Sequence, residues 1–233
     1  ELKKYCKTKK IYLIEDAAQA LGSKFKKNYL GTFGDLACFS FHETKNFHSG
    51  IGGCIIINNQ KLLKKIHYIY DKGSNRFDQK QKKINYYSWV SLGSSFLMSE
   101  LHAAYLFPQL KIYKSLISKR KKLYNYYVSK LNNNKNIQIL LNENKFIYNY
   151  HALVITLKNI STYKLLPKLK KKNINAYICY YPLHLSKYGK KYLTKKLKNT
   201  EYIFKYSIRL PLHNYLKKKD IKFICKCIHQ YTY

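Results

Sequence analysis

The sequence predicts an α/β fold on three observations. Short apolar runs of four to six residues recur along the chain, segments with helical spacing alternate with them, and glycines or polar clusters punctuate the joins. A strand buried on both faces reads as a continuous apolar run, and its alternation with helices is the pattern of crossover-connected sheets.

The first run, residues 11–14, ends in Glu15 and Asp16, as expected of a buried strand reaching a site at its carboxyl end. Runs at 36–41 and 54–57 follow, and Gly50, Gly52 and Gly53 permit a tight turn between them. Over residues 60–72, Leu62, Leu63, Ile66, Ile69 and Tyr70 share one helical face, and Gly73 is a natural stop. A long helix is expected from Ser99, as N-cap, to about residue 131, with a kink at Pro108. Beyond the polar stretch Asn132, Asn133, Asn134 come strands at 137–141 and 152–157 and a helix at 161–172. A strand at 176–180, a proline-containing loop and a final helix at 220–230 complete the pattern. The long helix marks the expected boundary between a first domain, 1–125, and a second, 126–233.

Composition excludes several classes. At 233 residues and 46% hydrophobic the chain can bury a core, so it is not a disordered tail or a mini-protein. The longest stretch without a formal charge, 84–99, is too short and too polar to insert into a membrane as a spanning helix. A net charge of +34 points to nucleic acid in most proteins. Here, however, 42 of the 45 basic residues are lysine, and only Arg76, Arg120 and Arg209 are arginine. Base readout and bidentate phosphate recognition favour arginine. Lys, Asn, Ile and Tyr supply 109 residues, whereas Ala, Gly, Pro and Arg supply 24. The first four have AT-rich codons, so the charge reads as nucleotide bias and not as a nucleic-acid face. The six cysteines lack paired Cys-x-x-Cys spacing, which argues neither a disulfide framework nor a metal site and suits a reducing cytoplasm. Cys38, Cys54 and Cys179 lie in apolar runs and are expected to be buried.

Two clusters carry chemistry. Asp16 follows a strand, where a carboxylate either faces a ligand or caps a helix. Ser40 and Lys45 follow the second run, five residues apart across a turn and about 30 residues after the acid. An acid after one strand and a lysine after another have a joint use in pyridoxal phosphate enzymes. The lysine forms a Schiff base with the cofactor and shuttles protons, and the acid keeps the pyridinium nitrogen protonated. A hydroxyl such as that of Ser40 holds the phosphate.

From residue 11 to the C-terminus the chain resembles the DegT/DnrJ/EryC1/StrS family of sugar-nucleotide aminotransferases. The resemblance rests on Glu15-Asp16-Ala17-Ala18-Gln19, Leu30-Gly31-Thr32-Phe33-Gly34-Asp35 and Cys38 through Asn46. It continues in Gly52-Gly53, Lys72 through Arg76, Gly93 through Tyr105, Tyr181-Pro182-Leu183-His184 and Arg209-Leu210-Pro211-Leu212. His42-Glu43-Thr44-Lys45-Asn46 and Gly93-Ser94-Ser95 are similar to the subgroup of dTDP-4-amino-4,6-dideoxygalactose transaminases of enterobacterial common antigen synthesis.

The resemblance implies the fold-type I, aspartate aminotransferase-like architecture, here as a partial large domain followed by a small α/β domain. It implies transfer of an amino group from glutamate to C4 of dTDP-4-keto-6-deoxyglucose. By position, Lys45 is the Schiff-base lysine, Asp16 the pyridinium partner, Gln19 a contact near the 3-hydroxyl, and Ser40 a phosphate ligand. Ser95 stands where many members place an asparagine on the phosphate of the neighbouring subunit, which implies a homodimer. His184 and Arg209 are candidate substrate contacts, against capping and structural roles. Ile51 replaces the family's usual glutamate in Gly-Glu-Gly-Gly. The match begins well inside the family's large domain, so the chain is expected to be the back portion of a longer enzyme, unstable or inactive alone. The rival expectations are an inactive remnant of such an enzyme and a basic nucleic-acid-binding module.

Overall fold

A computed structural model of the chain describes residues 1–140, 146–193 and 195–232. They divide into two units: residues 1–113 with 146–148, and residues 114–140 with those described from 149 onward.

The first unit opens with helix α1 (Leu2–Thr8) and strand β1 (Ile14–Asp16). The strand begins later than its apolar run because Asp35 occupies Leu13: its carboxylate accepts the Leu13 N–H at 2.9 Å, and its own amide donates to the Leu13 carbonyl at 2.7 Å. A small hairpin of β2 (Lys24–Phe25) and β3 (Asn28–Tyr29) leads to β4 (Leu36–Ser40) and β5 (Gly53–Ile57). β1 pairs parallel with β4, and β4 antiparallel with β5, giving the order β1-β4-β5. The register places Asp16 beside Cys38 and Ser40 beside Gly53.

One face of this sheet is bare. Ile14 is 60% exposed and Ile55 is 39% exposed, and Cys38 between them is exposed too. The expectation that Cys38 and Cys54 are buried therefore fails: no described element covers Cys38, and Cys54 is exposed as well. The opposite face holds Ala37, fully buried.

After β5, a short 3-10 turn (Gln60–Leu62) capped by the Asn59 side chain leads into α2 (Leu63–Tyr70), and α3 (Arg76–Lys80) follows. In α4 (Glu100–Lys111) the Ser99 hydroxyl accepts the His102 amide, the expected cap. The long helix does not break at Pro108, which lies inside α4; it breaks at Ile112, whose φ of −108° and ψ of 16° leave the helical range.

Helix α5 (Tyr113–Leu131) turns its buried stripe of Leu123, Tyr124, Tyr127 and Leu131 into the core of the second unit. That stripe is why the units divide at 113/114 and not at 125/126. Next come β6 (Ile137–Ile139), β7 (Phe146–Ile147, which pairs with β2 in the first unit) and β8 (Leu153–Leu157). Residue 141, the expected end of β6, lies outside the described residues. Helix α6 (Thr162–Lys170), β9 (Tyr177–Ile178), α7 (Lys198–Tyr206), β10 (Ser207–Leu210) and α8 (Lys218–Thr232) complete the unit. Its antiparallel sheet has the order β6-β8-β10-β9. Leu153, Ile155, Leu157, Leu165, Ile208 and Ile221 are fully buried in one apolar cluster.

Polar groups inside this core are paired, as burial demands. Thr156 and Ser207 hydroxyls meet at 2.8 Å, and the Tyr127 hydroxyl donates to the Pro211 carbonyl at 2.9 Å. Asn134 is 1% exposed: its amide donates to Thr232 at 2.9 Å and to His229 Nδ1 at 3.1 Å. His229 Nδ1 is thus an acceptor, which leaves the proton on Nε2 to bond the Lys130 carbonyl at 2.9 Å.

Candidate active site

The parallel pairing of β1 and β4 sends both strands out at one edge. Paired residues share a face and side chains repeat every two positions, so Asp16, Cys38 and Ser40 lie on the same side of the sheet. This is the bare face. Asp16 Oδ1 accepts the Ala18 N–H at 3.1 Å, closing a short turn as β1 ends. Ala17 beneath it is 3% exposed and donates its amide to the Cys38 carbonyl at 3.0 Å. Asp16 is held at the strand end with its remaining oxygen toward solvent. Gln19 is exposed on the same turn.

Glu15 does something the sequence did not disclose. Its carboxylate accepts three backbone amides: Gly31 at 2.8 Å, Phe33 at 2.6 Å and Gly34 at 2.7 Å. It thereby ties the loop before β4 to the strand bearing Asp16. The loop must approach closely, because a Cβ on Gly34 would sit 2.5 Å from the Leu13 carbonyl oxygen.

Lys45 is half-buried in the loop between β4 and β5. The Phe41 amide bonds the Gly52 carbonyl at 2.8 Å, Glu43 bonds Gly50 at 2.8 Å, and Ser49 bonds back to Phe41 at 2.9 Å. Phe41, Phe47 and Ser49 are buried beneath. Ser40 Oγ accepts the His42 amide at 3.3 Å, and the Lys45 amide donates to the His42 carbonyl at 2.9 Å. His42 Nδ1 accepts the Thr44 amide at 3.2 Å. From the helix side, the Gln109 amide grips His48 at both N–H (3.2 Å) and C=O (2.9 Å). The loop also rests on a cradle that only glycine allows. Gly52 has φ +149°, and a Cβ there would meet Met98 at 2.6 Å and Ser49 Oγ at 2.8 Å. Ile51, at the family's glutamate position, is 75% exposed.

A carboxylate and a hydroxyl on one sheet face, followed by a half-buried lysine on a pinned loop, fit pyridoxal phosphate. Such a set could offer an acceptor to the ring nitrogen, a donor to the phosphate and an amine to the aldehyde.

Ser95 lies on an exposed strap that threads past the turn after α2. It bridges to Asp71, while the Lys72 amide bonds the Ser94 carbonyl at 3.1 Å. The crossing needs two glycines. A Cβ on Gly73 would sit 1.9 Å from the Ser91 oxygen, and one on Gly93 2.2 Å from the Gly73 nitrogen. His184 and Arg209 belong to the second unit. His184 Nε2 lies 3.4 Å from the Glu201 carboxylate, an ion pair when the ring is protonated. Arg209 bonds His151 Nε2 at 3.3 Å. Among the described residues, no three His, Cys, Asp or Glu side chains are placed to hold a metal ion, and no helix is long and apolar enough to cross a membrane.

The fold is that of the pyridoxal-phosphate-dependent aminotransferases. Helicobacter pylori PseC, an aminotransferase involved in the biosynthesis of pseudoaminic acid, superposes with a TM-score of 0.86 at 24% identity, over 99% of this chain and 62% of that one. The PLP-form of the putative sugar aminotransferase Spr1654 from Streptococcus pneumoniae superposes at 0.82, also at 24% identity, over 95% and 58%. The chain belongs to the DegT/DnrJ/EryC1/StrS aminotransferase family, whose model matches residues 1–229. GDP-perosamine synthase of Escherichia coli O157:H7 is 29% identical over 97% of this chain and 59% of its own length. The chain thus spans about 60% of the length of the relatives it matches.

Proposed function

We propose that this chain is the lysine-bearing portion of a sugar-nucleotide aminotransferase that moves an amino group from glutamate to C4 of a dTDP-4-keto-6-deoxy sugar. The product is then dTDP-4-amino-4,6-dideoxygalactose. The observation that carries the reading is the placement of Lys45 on a loop pinned at both ends, just past a sheet edge where Asp16 and Ser40 share a face.

Bound pyridoxal phosphate supplies an electron sink for the carbon that loses or gains the amino group. Asp16 would hold a proton at the ring nitrogen, Gln19 would contact the cofactor, and the Ser40 hydroxyl would donate to its phosphate. Lys45 takes a proton from one carbon and returns it to another, a task that favours a tethered amine over a freely swinging surface lysine. Ser95 would reach the phosphate held by a second copy, and the working form would then be a homodimer in the cytoplasm. The nucleotide is assigned from the likeness of His42-Glu43-Thr44-Lys45-Asn46 and Gly93-Ser94-Ser95 to the subgroup that acts on dTDP sugars.

The rival reading, an inactive descendant of such an enzyme, has only Ile51 in place of the acid behind it, and the family match over residues 1–229 weighs against it. One titration separates the two. Pyridoxal phosphate added to the whole enzyme of which this chain is a portion should give a visible absorbance band that Lys45→Ala abolishes and Lys158→Ala leaves unchanged. A band that persists in Lys45→Ala overturns the assignment of the lysine. The absence of any band in the whole wild-type enzyme, of which this chain is a portion, selects the inactive reading.

A further inference from the structure

The second unit holds an arrangement that this chemistry has not absorbed. Only three arginines stand among 45 basic residues, and two of them converge on His151. In a chain where lysine occupies almost every cationic position, arginine persisting at one spot marks a place where the planar fork matters. Arg120 is 6% exposed, and its guanidinium donates to the carbonyls of Tyr150 and His151, each at 2.9 Å. Those bonds hold Tyr150 in the left-handed region at φ +54°, and the Asn149 side chain accepts the His151 amide at 3.1 Å. The backbone presenting His151 is therefore set from below. Burial pulls the Arg120 guanidinium down to about 10. Burial of the His213 ring, and after it the Arg120 charge, lowers that ring's pKa.

Arg209 approaches His151 from β10. It pairs with Val154 on one side and Tyr177 on the other, so these three share a face of the sheet. Tyr177 is 62% exposed, and Arg209 itself is half-buried. Arginine has no acceptor, so the 3.3 Å contact makes His151 Nε2 the acceptor and leaves the ring proton on Nδ1. One N–H of Arg209 is used in this way, and the rest of its fork of five donors remains. Among the described residues neither Arg120 nor Arg209 has a carboxylate within ion-pairing distance. A half-buried guanidinium, oriented by a histidine and lacking a counter-ion, is a receptor for an oxyanion.

We propose that Arg209, oriented by His151, binds an oxyanion of a reactant, a carboxylate or a phosphoryl group, and that Arg120 positions His151 for this. The proposal rests on the aminotransferase reading for the identity of the reactant and on the second unit alone for the site. Arg209→Lys tests it, because the substitution keeps the net charge and with it all non-specific attraction to a +34 protein. Binding of inorganic pyrophosphate and of L-glutamate is followed at about physiological ionic strength by the His151 ring resonances. Wild type should show saturable shifts for at least one probe, and Arg209→Lys should weaken that binding about tenfold, the worth of a lost charge-assisted bond. Glutamate alone shifting the ring assigns the amino donor; pyrophosphate alone assigns the diphosphate of the sugar nucleotide; both assign the shared chemistry. His151→Gln, which keeps an acceptor, should retain the wild-type affinity when binding is measured by calorimetry, and His151→Leu should lose it. Equal affinity in wild type and Arg209→Lys, or no shift with either probe, overturns the site. Neither probe involves the cofactor, so a normal absorbance band with no oxyanion binding refutes this site alone. Oxyanion binding without a band refutes the aminotransferase reading alone.

Discussion

Replacing Gly73 by alanine should damage the Ser95 strap far more than the same change at Gly50, although both glycines have positive φ. Gly50 lies at φ +81° with nothing within 4 Å of a built Cβ. Gly73 lies at φ +73°, but its Cβ would sit 1.9 Å from the Ser91 carbonyl oxygen. The left-handed backbone costs a non-glycine residue about 1–2 kcal/mol, which applies to both. Overpacking adds about 1–3 kcal/mol, which applies to Gly73 only. Gly73→Ala should therefore cost roughly 2–5 kcal/mol and Gly50→Ala roughly 1–2. Hydrogen exchange reads the difference where it arises. The amides of Val90 and Ser91 both donate to the Gly73 carbonyl, at 2.8 and 3.0 Å. Their protection should fall at least about thirtyfold in Gly73→Ala and stay unchanged in Gly50→Ala. Unchanged protection in Gly73→Ala, or equal losses in both variants, would refute the packing argument.

Glu15→Gln should lower stability by about 1–3 kcal/mol in urea unfolding, since a neutral amide replaces a carboxylate accepting three amides. Leu153→Ala, at a fully buried core position, should cost about 2–5 kcal/mol in the same assay. Ile14→Ser, on the bare face, should stay within about 0.5 kcal/mol of the parent. The buried Asp78 has its carboxyl lowered below the ordinary value of 3.8, chiefly by the Tyr68 hydroxyl and also by Lys64. A depressed carboxylate adds stability above its unfolded value, and that stability is lost as pH falls through its folded value. Stability should therefore drop as pH goes below 3.8, and Tyr68→Phe should flatten that limb of the acid-unfolding curve. A curve of identical shape in the variant would remove Asp78 from the account.

The α/β alternation, the Ser99 cap and the final helix were legible because each follows from local spacing or a single side chain. So was the edge carrying Asp16, Ser40 and Lys45, since apolar runs mark the strands and glycines mark the turn. Other features depend on partners distant in sequence. β10 is only four residues long and is fixed by β8, more than fifty positions earlier. The polar run at 132–134 resembles a low-complexity tract until Thr232 and His229 arrive to satisfy Asn134. Glu15 reads as half of an acidic pair, yet it binds a loop 16 to 19 residues ahead. Cys38 and Cys54 sit in strands apolar enough to read as buried, and only the exposure of Ile14 and Ile55 reveals an uncovered face. The meeting of Arg120 and Arg209 at His151 spans three elements, and its one trace in the sequence is the scarcity of arginine.

The central claim is that Lys45 is the residue that holds the cofactor. Incubating the whole enzyme of which this chain is a portion with pyridoxal phosphate, reducing with borohydride and mapping the modified peptide by mass spectrometry tests it most directly. The account predicts the phosphopyridoxyl group on Lys45 in preference to the other 41 lysines, many of them more exposed. Modification spread evenly over surface lysines, or concentrated on a different one, would contradict it.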